Sequence, residues 1–244
     1  MSAPQPGTLY GVGVGPGDPE LLTMKAVRIL AAAPVIAYFA KRGRPGHARR
    51  IAGDHFNPDA DVLRFEYPLT TERNAGDPEY RAVLDTFYDK TARELDINLR
   101  QGQDVAVLCE GDPFLYGSFI HIYDRLRNAN TVIVPGITGM GGCWSEAQTP
   151  MTRGNDVLTV LPGTLDENAL AQRLAATDAA VIMKVGRNLP KIRNALARAG
   201  AAERALYVER GTQAGARVQP LGEMTETPAP YFSLILVPGT RPPA

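Results

Sequence analysis

Short apolar runs rich in valine alternate with longer amphipathic stretches through the first half of the chain. The runs at 8–14, 34–38, 104–109 and 131–134 read as strands, and the stretches near 19–32, 46–53, 78–100 and 117–128 read as helices. In the longest, Glu79 to Arg100, a helical repeat sets Tyr80, Val83, Leu84, Phe87, Leu95 and Leu99 on one stripe. Asp18 with Pro19 marks the start of the first helix, as N-cap and first helical residue. Such alternation predicts a mostly parallel sheet covered by helices. A short helix is expected after Thr138-Gly139, through Cys143 and Trp144, with Trp144 as a packing residue.

The pattern pauses between Ala147 and Asn155, and the domain boundary is placed there: an N-terminal domain over 1–148 and a C-terminal domain over 149–244. The second part has strands near 157–161, 179–184, 205–209, 216–221 and 231–237. Its helices run from Glu167 to Ala176 and from Leu189 to Ala199, the latter stopped by Gly200. The last three strands follow one another without helices, which predicts a mixed sheet. The fold class is therefore two α/β domains, a parallel-rich N-terminal sheet and a mixed C-terminal sheet. No internal repeat or low-complexity tract is visible, and the tail Arg241-Pro242-Pro243-Ala244 reads as loose.

At 244 residues with 44% hydrophobic content the chain suits two ordinary domains. No apolar run reaches the ~20 residues of a membrane helix. The N-terminus has no basic region followed by an apolar core, so a cytoplasmic location is expected. Cys109 and Cys143 read as reduced, buried small residues. His47, His55 and His121 are scattered, and no Cys/His cluster has metal-ligand spacing. A formal net charge of zero disfavours nucleic acid. Charge is nevertheless crowded at Lys41, Arg42, Arg44, His47, Arg49 and Arg50, either a solvated loop and helix start or a collar for a polycarboxylate ligand.

Two loops carry the candidate chemistry. The first, Gly11-Val12-Gly13-Val14-Gly15-Pro16-Gly17-Asp18, follows a strand. Dinucleotide spacing fails there: G-x-G-x-x-G would need glycine at Pro16 or at Asp18. The strand ending at Tyr38 is followed by Phe39, with no acid for a ribose, so an oxidoreductase is the weakest reading. The second, Cys109-Glu110-Gly111-Asp112-Pro113-Phe114-Leu115-Tyr116-Gly117-Ser118, joins strand to helix, a common place for a small-molecule site. Glu110 and Asp112 offer carboxylates to a cation or a ribose hydroxyl; equally, Asp-Pro serves turn geometry alone.

Together the loops resemble the tetrapyrrole (corrin/porphyrin) methyltransferase family, which uses S-adenosylmethionine. The resemblance runs through Gly13 to Thr23, Gly111 to Pro113, Pro135-Gly136-Ile137-Thr138, Met183 to Pro190 and Val208 to Thr212, in order along nearly the whole chain. Residues 109–119 look like the branch that methylates carbon 20 of precorrin-2, or of its cobalt form, in cobalamin biosynthesis. Members that methylate uroporphyrinogen III carry aspartate where Phe39 stands, and usually glycine where Glu110 stands.

The resemblance implies an active site in the cleft between the domains. Pro16, Glu110, Gly111, Asp112, Leu115, Thr138, Gly139, Lys184, Gly211 and Leu234 would contact the cofactor, with S-adenosylhomocysteine as product. Family members often have methionine at the Lys184 position. Gly15, Arg42 and Arg44 would meet the tetrapyrrole polycarboxylate. The resemblance carries over no general base; Glu110 and Tyr38 are candidates because each is expected at a strand end. It also implies a homodimer, with neither nucleic acid nor membrane as partner. Competing readings are a methylase of the cobalt-containing ring, of another tetrapyrrole position or of RNA, and a corrinoid-binding module without turnover.

Overall fold

The computed structural model describes residues 5–69 and 77–240, so the tail at 241–244 lies outside the described residues. The chain divides into two compact units, Met1–Thr138 and Gly139–Ala244. This division falls ahead of the compositional pause, for a reason visible in the second unit.

The first unit contains β1 (Leu9–Gly13), α1 (Met24–Ala32), β2 (Val35–Lys41), α2 (His47–Ala52), β3 (Asp61–Tyr67), α3 (Pro78–Arg100), β4 (Val105–Cys109), α4 (Phe119–Arg125) and β5 (Thr131–Val134). The strands form one parallel sheet in the order β3-β2-β4-β1-β5. Strand alternation sends Ile36, Tyr38, Ala106 and Leu108 to one face, with Leu30 of α1 and Ile51 of α2. Val35, Ala37, Val105 and Val107 go to the other, with Leu95 and Leu99 of α3 and Phe119 of α4. Both faces are covered, as expected of an all-parallel sheet.

Three details differ from the sequence reading. Asp18 caps only a 3₁₀ turn, Pro19–Leu21. Leu22 is extended, and Thr23 recaps the chain by accepting from Ala26 N–H at 3.1 Å, so α1 starts at Met24. β2 continues to Lys41, which makes Tyr38 and Phe39 mid-strand residues. Finally, β3 is an edge strand that the patterns did not reveal. Its exposed Asp61, Arg64 and Glu66 dilute the apolar signal, leaving only Phe65 buried.

The second unit contains α5 (Gly139–Glu146), β6 (Leu158–Pro162), α6 (Glu167–Ala175), β7 (Ala179–Met183), α7 (Leu189–Arg198), β8 (Leu206–Glu209), β9 (Arg217–Pro220) and β10 (Ser233–Val237). Its sheet runs β6-β7-β10-β8-β9, with β6 parallel to β7 and the other pairs antiparallel. Helices α6 and α7 cover one face through Leu170, Leu174, Ile192 and Leu196. On the other face Cys143 of α5 packs with Ala179, Val181, Val208, Leu234 and Leu236. That packing places α5 in the second unit, and Trp144 borders the same cluster.

Candidate active site

In the first sheet β1 lies beside β4, yet the chain leaves them in opposite directions: β1 leads to β2 on one side, β4 to β5 on the other. Their following helices, α1 and α4, accordingly sit on opposite faces. The carboxyl ends of β1 and β4 therefore form a topological switch point, where open α/β sheets bind ligands. The loops at that point are 14–18 and 110–117, the two singled out by sequence. A concavity of about 650 Å³ lined by Gly7, Leu99, Arg100, Leu126 and Asn130 lies instead at the amino ends of β1 and β5, and includes none of the expected site residues.

The loops after β1, β4 and β5 are fastened to one another. Gly111 N–H donates to Gly15 O at 2.8 Å. Both residues have positive φ, +67° and +79°. Asp112 accepts from Phe114 N–H at 2.9 Å and from Gly136 N–H at 3.2 Å, so its carboxylate serves the turn and the neighbouring loop. Gly136 is so close that an added Cβ would lie 2.1 Å from Gly111 O. Gly15, Pro16, Glu110, Gly111, Asp112 and Leu115 are thus brought to one place, and Thr138 ends the same β5 loop.

Glu110 lies among charged groups. Its carboxylate accepts a hydrogen bond from Ala48 N–H at the start of α2, with Arg50 and Lys41 nearby. Solvent reaches the residue, which keeps exposed surface, but protein crowds the carboxyl. Hydration of the carboxyl itself decides its ionisation. Desolvation raises its pKa to about 7 against the downward pull of Ala48, Arg50 and Lys41.

Tyr38 does not match its expected placement. It is 8% exposed, packed in the core of β2, and its ring would be 2.4 Å from a Cβ on Gly46. β2 continues to Lys41, so Tyr38 does not stand at the strand end expected of a proton acceptor there. Arg42 and Arg44 lie exposed on the turn between β2 and α2. That turn is held to β3: Arg64 donates to Arg44 O at 2.8 Å, and Gly43 N–H donates to Glu66 at 3.4 Å. Arg49 leaves the basic group, its guanidinium lying 4.6 Å over the Phe56 ring.

In the second unit Gly139 opens α5 and Lys184 follows β7 at φ +56°. Gly211 follows β8, between Arg210 and Thr212 at φ +51° and +68°. A Cβ on Gly211 would lie 2.7 Å from Cys143 Sγ, so only glycine lets this loop lie on α5. Leu234 is 6% exposed in the same cluster as Cys143, and Met183 of β7 borders it. Strained backbone of this kind concentrates at ligand sites. Burial pushes the Cys143 thiol up to about 11 and Cys109 higher still, which keeps both protonated. Sequence reasoning missed that Ser118 accepts from Tyr88 OH at 3.2 Å and hydrogen-bonds Tyr67; only the edge position of Tyr67 on β3 brings these residues together.

The model of the Tetrapyrrole (Corrin/Porphyrin) Methylases matches residues 8–225. The chain is 53% identical over 242 residues to the precorrin-2 C(20)-methyltransferase of a Sinorhizobium species, covering 99% of both. It is 31% identical to the cobalt-precorrin-2 C(20)-methyltransferase of Salmonella typhimurium, over 95% of this chain and 96% of that one. Uroporphyrin-III C-methyl transferase from Thermus thermophilus, complexed with S-adenyl homocysteine, superposes with a TM-score of 0.61 at 24% identity, over 94% of this chain and 96% of that one, and shares the fold.

Proposed function

The chain belongs to the tetrapyrrole (corrin/porphyrin) methylase family, and on that premise we propose that it transfers a methyl group from S-adenosylmethionine to carbon 20 of precorrin-2, giving precorrin-3A in cobalamin biosynthesis. The observation that carries the reading is the 53% identity to a precorrin-2 C(20)-methyltransferase across 99% of both chains. A relative whose name specifies the cobalt form is 31% identical, which favours the metal-free ring.

When bound, S-adenosylmethionine would supply an electrophilic methyl group on a sulfonium, with the sulfur as leaving group for attack by the ring carbon. The chain then needs no nucleophile of its own; it must align the partners and exclude water. The backbone of the fastened loops suits this alignment. Pro16, Glu110, Gly111, Asp112 and Leu115 hold the methionine and ribose parts, and Thr138, Gly139, Lys184, Gly211 and Leu234 supply further contacts. Asp112 acts mainly through its hold on Gly136 and Phe114. Arg42 and Arg44, with Gly15, receive the carboxylates of the ring.

After transfer, carbon 20 must lose a proton. Glu110 is the acceptor: a carboxylate with a pKa near 7 is half ionised at neutral pH and is a better base than an ordinary one. As the family resemblance implies, the enzyme works as a homodimer in the cytoplasm; no described helix is long and apolar enough to cross a membrane.

Anaerobic incubation with S-adenosylmethionine and precorrin-2 tests the activity. Equimolar S-adenosylhomocysteine and a product heavier by one methylene are expected. Cofactor binding without either product would favour the binding-module reading.

A further inference from the structure

Ser118 stands at the N-cap of α4, where a serine ordinarily accepts from the first turn. Its side chain makes no capping bond. Its hydroxyl instead meets two phenols, Tyr67 OH and Tyr88 OH, the latter at 3.2 Å. A helix cap is forgone in favour of fixing two aromatic rings.

The ring fixed furthest out is Tyr67, the last residue of β3. It stacks on Phe39 of β2, centroids 5.6 Å apart and planes 21° apart, and meets Phe87 of α3 at 5.4 Å. Phe39, Tyr67 and Phe87 are each half-buried and so keep some open surface. In the parallel register Tyr67 lies opposite Lys41, which begins the basic turn through Arg42 and Arg44. That turn is itself pinned to β3 by Arg64 and Glu66. An aromatic surface with Lys41 opposite Tyr67 at the carboxyl end of the sheet matches a flat conjugated ring with carboxylates at its rim.

We propose that Tyr67, locked by Ser118, is a specificity-determining platform on which the macrocycle rests, with Ser118 as its positioning residue. This deepens the functional reading above and rests on it for the identity of the ring. The platform governs how the ring is placed and leaves the methyl donor's affinity untouched. Phe39 is part of the same surface: an aspartate there would put a charge under Tyr67 and against Phe65 and Tyr88.

The test uses the full chain and three variants, Tyr67→Leu, Ser118→Ala and Ser118→Thr, with two readouts. The first is binding of uroporphyrin III, a flat polycarboxylate, and of S-adenosylhomocysteine, without turnover. The second is KM and kcat with precorrin-2. Removing the ring is expected to weaken porphyrin binding and raise the precorrin-2 KM about tenfold, the scale of one lost aromatic stack plus its placement. S-adenosylhomocysteine affinity should stay within about twofold. Ser118→Ala should follow Tyr67→Leu in direction with a smaller change, and Ser118→Thr, which restores a hydroxyl, should recover most of it. Equal losses for porphyrin and S-adenosylhomocysteine, or no loss for porphyrin, would overturn the platform. If the wild type binds porphyrin through Tyr67 but transfers no methyl to precorrin-2, the platform stands and the functional reading falls. Methyl transfer unaffected by Tyr67→Leu has the opposite meaning.

Discussion

Gly111 gives its N–H to the carbonyl of Gly15 at 2.8 Å, a single antiparallel bridge that ties the loop after β4 to the loop after β1. These strands flank the point where the chain reverses direction across the sheet, so the bridge spans the crevice the topology opens. Asp112 repeats the arrangement towards the loop after β5. Three carboxyl-end loops thereby become one backbone surface.

Asp112 should matter first for stability. Asp112→Ala leaves the N–H groups of Phe114 and Gly136 without their acceptor, and is expected to cost about 1–3 kcal/mol. Asp112→Asn, which keeps one side-chain oxygen, should cost less. Urea unfolding midpoints at constant slope measure both. An unchanged midpoint with lost S-adenosylhomocysteine binding would mean that the carboxylate belongs to the ligand instead.

Glu110 predicts a pH profile. Its folded pKa, near 7, lies above the usual carboxylate value, so the folded state holds the proton more tightly than the unfolded chain. The contribution to stability is then complete below about 4.5 and is lost as pH rises through about 7. Activity runs the other way, because the acceptor must be ionised: kcat should rise with pH through an apparent pKa near 7. Glu110→Gln should lower kcat about 10²-fold or more and remove that limb. Full turnover of the variant at every pH would exclude Glu110 as the base.

The basic turn should separate substrate from cofactor. Arg42→Ala and Arg44→Ala are each expected to raise the precorrin-2 KM about 3- to 10-fold through a lost charge-assisted contact, with S-adenosylhomocysteine affinity unchanged. Calorimetry beside steady-state kinetics distinguishes this from a folding effect, which would reduce both.

Gly211 should not tolerate a side chain. Alanine there would press on Cys143 at 2.7 Å from Sγ and 2.9 Å from Cα. The expected cost is about 1–3 kcal/mol, with weaker cofactor binding. Thermal unfolding with and without S-adenosylhomocysteine reads both effects; an unperturbed protein would mean that the loop has slack.

Much of this was legible in the chain because local chemistry and topology agree. Valine runs separated by amphipathic stretches fixed nearly every strand and helix, and three successive strands without helices pointed to the antiparallel part of the second sheet. Glycine and proline at 13–19 and 111–113 marked the loops that meet. What stayed hidden depends on neighbours in space. β3 escapes because an edge strand keeps charged residues on its open side. Tyr38 misled because nothing local tells where β2 stops. Position alone does not reveal that Asp112 serves the backbone of Gly136, or that Ser118 forgoes its helix cap for Tyr67 and Tyr88.

The most direct test of the account is the position of the new carbon. A single turnover with methyl-labelled S-adenosylmethionine, offered precorrin-2 and cobalt-factor II in parallel without oxygen, would be followed by NMR of the product. Label is expected on carbon 20, the meso carbon between rings A and D, with precorrin-2 the faster substrate. Label at another ring position, or none from either substrate while S-adenosylhomocysteine still binds, would contradict it.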